Sequence, residues 1–176
     1  MAHDPRRSQA WLHDRLLPAF LALACVFYGG CASIPQPLLS PRSPVDRAIQ
    51  EDDIRESVFR YRMDYPKRNC PFFLSIGGKD PSDTFMRRFA ALKTPVKKVS
   101  GSYFKKEPFP GWLRDRSTNE KAISFSVGPI SWMSLDRVEV GGGMYCGGLC
   151  ADAGIYQLRK KNGRWVVEEY KVKMVS

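Results

Sequence analysis

The chain has 176 residues, enough for one domain and a short additional segment. Hydrophobic residues make up 43% and charged residues 26%, which excludes a disordered or fibrous chain. The formal charge is +10, yet the cations are scattered as Lys97–Lys98, Lys105–Lys106 and Arg159–Lys160–Lys161. No basic arm exists, so nucleic acid is not the expected partner; the surplus suits anionic lipid or glycan, or simply a solvated basic surface.

Residues 1–30 read as a signal peptide. Residues 1–15 are polar and carry Arg6, Arg7 and Arg15, and residues 16–30 are apolar up to Gly29-Gly30. At 1.5 Å per residue this run is short for a hydrocarbon core of ~30 Å. A charged start, a short apolar run and small residues at its end match an export signal. Gly29-Gly30-Cys31-Ala32-Ser33 follows and resembles a bacterial lipoprotein processing box. That resemblance implies lipid attachment at Cys31, a membrane partner through the lipid, and a cell-envelope location. With Ala32 after the cysteine, it implies the outer membrane, facing the periplasm. Two alternatives stay open: cleavage after Ala22-Leu23-Ala24, giving a secreted or periplasmic soluble protein, and an uncut anchor. Residues 31–45 contain Pro35, Pro37, Pro41 and Pro44 and read as an extended tether to a single domain over 46–176.

Ser43-Pro44-Val45-Asp46 predicts a helix start, with Ile54, Val58 and Tyr61 as its apolar stripe and an end near Asp64. Pro71 to Ile76 predicts a buried strand closed by Gly77-Gly78. Asp80-Pro81 repeats the cap-then-proline pattern and predicts a short helix carrying Phe85, Met86, Phe89 and Leu92. Val96 to Val99 is a brief strand candidate, and residues 100–121 read as a long irregular loop. Four runs, 122–133, 136–146, 150–160 and 164–174, then predict an antiparallel meander. The apolar parity changes across Gly128-Pro129, which predicts a bulge in the first run.

The expected fold class is α+β: N-terminal helices packed on a curved antiparallel meander of about four strands, with one or two short strands added. This order resembles the nuclear-transport-factor-like and cystatin-like folds, which host many unrelated functions. Asp80-Pro81-Ser82-Asp83, the run from Val96 to Ser100, the run from Tyr145 to Cys150, and the run from Lys160 to Val167 also resemble a group of small exported bacterial proteins without an assigned function. That likeness implies an exported domain and no particular catalytic or binding residue.

The two histidines, His3 and His13, both lie in the export segment. The mature part therefore has no Ser-His-Asp or Cys-His catalysis and no imidazole-based zinc site, which leans against an enzyme. No cofactor or metal is expected. Cys146 and Cys150 suit a structural disulfide in an oxidising compartment, which leaves Cys70 outside the pair. Setting Cys146 opposite Cys150 also sets Val140 opposite Tyr156 and Val138 opposite Leu158, so one register serves all three pairs. For the next hairpin, a three-residue loop Lys161-Asn162-Gly163 is expected, because it turns Val166, Tyr170, Val172 and Met174 inward together. Tyr103, Lys105, Lys106 and Trp112 form a candidate contact for glycan or an anionic surface; the competing reading is that these aromatics pin their loop to the domain. The overall expectation is an envelope domain that acts by binding, or as a structural accessory to an envelope protein. The alternative is a small-ligand pocket between helix and curved sheet.

Overall fold

The computed structural model describes residues 43–64, 69–106 and 109–176. The readings placed on the signal peptide, on Cys31 and on most of the tether lie outside these residues.

Helix α1 spans Pro44–Met63. The Ser43 hydroxyl accepts the Asp46 backbone N–H at 3.0 Å, and Pro44 fills the first helical position, where an N–H would have no intrahelical partner. The buried stripe is Ile54, Val58, Phe59 and Arg62, whereas Tyr61 is exposed. A short helix α2 (Asp83–Met86) runs into a 3-10 turn, Arg87–Phe89. Its cap is Ser82, which accepts from the Phe85 N–H. Asp80 is instead used by the Ser100 N–H at 2.9 Å, so the cap lies two residues later than expected. The turn is bolted to α1: Arg88 reaches Asp53 and Glu56 at 2.7 and 2.8 Å, while Phe59 meets Phe85 and Phe89 edge-on. Burial alone would raise the Glu56 carboxyl; hydrogen bonds from Arg88 and Arg60 outweigh it and hold the group below its ordinary range.

The strands are β1 (Phe72–Ile76), β2 (Val96–Lys98), β3 (Ser102–Lys105), β4 (Trp112–Asp115), β5 (Ile123–Trp132), β6 (Arg137–Gly147), β7 (Cys150–Lys161) and β8 (Arg164–Val175). All eight join one mixed sheet. β1 pairs in parallel with both β2 and β5; β5, β6, β7 and β8 pair antiparallel in turn; β4 joins β6 at Trp112–Gly147 and carries β3 on its outer side. The Val127–Ile130 shift between β5 and β6 is the bulge expected at Gly128-Pro129.

The expected α+β fold, helices on a four-stranded meander with one or two short strands, is overturned. Among the described residues strand outweighs helix, 49% to 23%, and the sheet is mixed. The run Phe72-Phe73-Leu74 explains why. It is apolar without alternation because β1 is central: Phe72 and Leu74 enter the main core under α1, and Phe73 enters a second core with Leu113 and Ala122 on the opposite face. Residues 100–121, expected as an irregular loop, contain the β3–β4 hairpin that covers this second face. Its Pro110-Gly111 lies in the connection between the two strands and does not mark the segment as irregular.

The β6–β7 register is the expected one from Val138–Leu158 to Tyr145–Ala151; a shift at the turn then sets Gly147 opposite Cys150. The β7–β8 register is not as expected. Lys161 pairs directly with Arg164 across the two-residue turn Asn162-Gly163, whose φ values are +50° and +79°. Two left-handed residues match the twist of the flanking strands, and Gly163 adopts this conformation without steric cost. Leu158 therefore faces Val167, and Trp165 is buried, while Val166, Val172 and Met174 are exposed. A bulge then omits Glu168 from the ladder and brings Tyr170 opposite Tyr156. Counting inward apolar residues with a single register failed because the strand changes register midway.

Candidate functional site

A cleft of 570 Å³ opens between the C-terminal end of α1 and the strands β7 and β8. Tyr61, Arg62 and Asp64 come from the helix end, Asp152 from β7, and Tyr170, Val172 and Val175 from β8. The volume lies within the ~300–1,000 Å³ of small-molecule sites.

The deep side is polar and ordered. Arg62 Nη2 donates to Asp152 Oδ2 at 2.6 Å, and the Tyr170 hydroxyl donates to Asp152 Oδ1 at 2.5 Å. The Arg62 side chain is only 7% exposed and that of Asp152 17%. The guanidinium lies 4.9 Å above the Tyr170 ring, which stacks on Tyr156 at 4.3 Å. Met144 of β6 lies opposite Asp152; at the neighbouring Gly143, opposite Ala153, a side chain would bring a β-carbon to 2.1 Å from the Asp152 carbonyl, so only glycine allows β6 and β7 this close.

Two polar groups in this layer, Arg62 Nε and the Tyr156 hydroxyl, are buried without a hydrogen-bond partner of normal geometry among the described residues. Burial pushes the Tyr156 phenol up to about 12, with the Arg62 charge pulling partly back. Burial and its own donation to Asp152 raise Tyr170 as well. Both phenols are therefore neutral at physiological pH, and Asp152 already accepts two charge-assisted or phenolic hydrogen bonds. The cluster offers oriented donors and ring faces, and the Asp64 carboxylate lines the same cleft from the helix end.

The sequence-derived candidates lie elsewhere. Cys146 and Cys150 form a disulfide with α-carbons 5.2 Å apart at the β6–β7 turn. Cys70 is half-buried and packs against the main core. Tyr103 and Lys105 on β3 face Arg114 and Trp112 on β4; Lys106 follows on the exposed connection. This hairpin is internally engaged: Lys121 Nζ sits 3.8 Å over the Trp112 ring, Arg116 lies over Tyr103, and the Tyr103 hydroxyl donates to Asn119. Cys31 lies outside the described residues.

Sequence reasoning passed over Arg62 and Asp152, although each carries a signal. Ile54, Val58 and Arg62 recur at intervals of four, so a cation stands in the apolar stripe of α1. Asp152, Tyr156 and Leu158 share the inward parity of β7, so an anion stands in its apolar row. Two opposite charges, each at a core-facing position, are natural partners for one another. No family model, curated protein or solved structure matches the chain.

Proposed function

We propose that the chain is an exported cell-envelope domain, tethered through Cys31, that acts by binding a small amphipathic molecule in the cleft between α1 and β7–β8. The supporting observation is the cleft itself: an apolar rim of Val172, Val175 and Tyr61 above a buried Arg62–Asp152–Tyr170 floor. Such a site takes an apolar body against the rim and a small polar head toward the Arg62–Asp152–Tyr170 floor.

The fluorescent amine N-phenyl-1-naphthylamine tests the cleft. It is expected to bind saturably at one molecule per chain, with a blue-shifted emission. Val172 is 53% exposed, so Val172→Arg should close the mouth without disturbing the core, and should abolish the signal. Binding that never saturates, or that Val172→Arg leaves intact, would count against the site. The tether has its own test. Cys31→Ser is expected to move the protein from the membrane fraction to the soluble fraction of the cell, and unchanged fractionation would remove the lipid-anchored reading.

A further inference from the structure

The opposite end of the sheet, where the chain enters the domain, has a different character. Three segments meet there: the first turns of α1, the β5–β6 turn, and the β7–β8 turn. The Lys160 N–H donates to the Asp136 carbonyl at 2.8 Å, and Lys160 Nζ reaches Gln50 Oε1 at 3.3 Å, which holds the three together. Large apolar side chains project from this end into solvent: Val45 at 68% exposure, Ile49 at 53%, and Met133 and Leu135 at 56% each. None of them is needed by the core, and single exposed apolar residues would call for no explanation; four on one end of a domain do.

The same end is cationic. Arg47, Arg159 and Lys161 are matched by Glu51, Asp136 and Glu168. Arg137, Lys160 and Arg164 form no ion pair among the described residues. Glu51, Asp136 and Glu168 are spent on these pairs, and Asp46, bonded by the Ser43 hydroxyl, keeps its charge; Arg47, Arg137, Arg159, Lys160, Lys161 and Arg164 thus stand against Asp46, Glu51, Asp136 and Glu168. The local surplus is therefore positive. Apolar tips ringed by unmatched cations are the composition that seats on a lipid headgroup layer, where each cation is attracted to anionic lipid and each apolar tip enters the acyl boundary.

We infer that this end of the sheet, formed by Val45, Ile49, Met133 and Leu135 with Arg137 and Arg164, rests on an anionic lipid bilayer. The orientation rests on the Cys31 tether proposed above. About a dozen residues separate Cys31 from Ser43, a reach of at most ~40 Å even when extended, and the chain enters the domain at this same end. Docking here directs the cleft away from the membrane, because β8 runs from Arg164 at the docking end to Val172 and Val175 at the cleft, roughly 26 Å over the first eight steps.

The experiment uses the full chain carrying Cys31→Ser, so that docking is read without the lipid and its failure is separable from failure of the anchor. Dansylalanine is placed instead of Leu135 or, as a control at the far end, instead of Val172. Vesicles contain either pure phosphatidylcholine or phosphatidylcholine with 30% phosphatidylglycerol (about 30 mol%, an anionic surface of ordinary charge). The emission at 135 is expected to shift blue on anionic vesicles alone, and the emission at 172 is expected not to move. Arg137→Glu with Arg164→Glu, both exposed and outside the core, should weaken the partition at least about tenfold. No shift at 135, an equal shift at 172, an equal shift on neutral vesicles, or insensitivity to the double charge reversal would each overturn the docking surface.

Discussion

Arg62→Met is expected to lower folding stability by about 3–5 kcal/mol, read as the shift of the urea midpoint at constant m-value. The side chain is 7% exposed and its partner Asp152 17%, so removing the guanidinium leaves a carboxylate largely cut off from water, with only the Tyr170 hydroxyl to satisfy it. The ring contact above Tyr170 goes too, and with it the clamp between the last turn of α1 and the ends of β7 and β8. The pair itself is a weak net stabiliser, because desolvation of two charges offsets most of their attraction. Arg62→Met combined with Asp152→Leu is therefore expected to recover most of the loss. A single variant within about 1 kcal/mol of the parent would show that solvent reaches the pair. A double variant as unstable as the single would show that the cost lies in packing.

The contrast between what the sequence discloses and what it hides follows the range of the interactions. Ser43-Pro44, Gly77-Gly78, the Gly128-Pro129 bulge and the four C-terminal runs are local, and each was legible from a few adjacent residues. The parallel pairing of β1 with β5 joins Phe72 to Ile123, and nothing short-range marks it beyond the unalternating apolar run that both faces demand. β3 and β4 were hidden because Tyr103, Phe104, Trp112 and Leu113 lie among lysines and a proline-glycine pair, so the segment looks like a polar loop. The β7–β8 hairpin shows a subtler limit. Asn162-Gly163 is a strong two-residue turn signal, and local turn chemistry prevailed over the count of inward apolar residues; the bulge at Glu168 then repaired the face for Tyr170 only. The cleft was least legible of all, since Arg62 and Asp152 are 90 positions apart. Each residue breaks an apolar pattern on its own element, and only the tertiary fold turns two local violations into one satisfied pair.

Asp115→Ala is expected to destabilise the fold by about 1.5–3 kcal/mol near pH 7, and the deficit should vanish in acid. The residue ends β4 and is 1% exposed. One oxygen accepts Lys97 Nζ at 2.6 Å; the other accepts the Ser117 N–H at 2.8 Å and the Ser117 hydroxyl at 2.7 Å. Lys97 belongs to β2 and Ser117 to the turn after β4, so one carboxylate ties the edge of the parallel sheet to the hairpin over the second core. Burial by itself would raise the Asp115 carboxyl above the ordinary 3.8; the hydrogen bonds from Lys97 and Ser117 outweigh it and hold the group lower. A carboxyl lower in the folded than in the unfolded state binds fewer protons when folded, so stability rises with pH across this window. The contribution is complete above roughly the unfolded value of 3.8 and is lost as pH falls through the lower folded value. Parent and Asp115→Ala should therefore differ by a constant margin from pH 5 to 7 (about two units in which neither form of Asp115 titrates) and converge below about pH 4. Lys97 is 36% exposed, so solvent screens part of its share, and raising the salt to about 1 M should trim the margin without removing it; the Ser117 hydrogen bonds persist. A margin independent of pH down to about 2 would mean that the side chain acts by filling space, whereas one that widens in acid would reverse the sign assigned to the carboxyl.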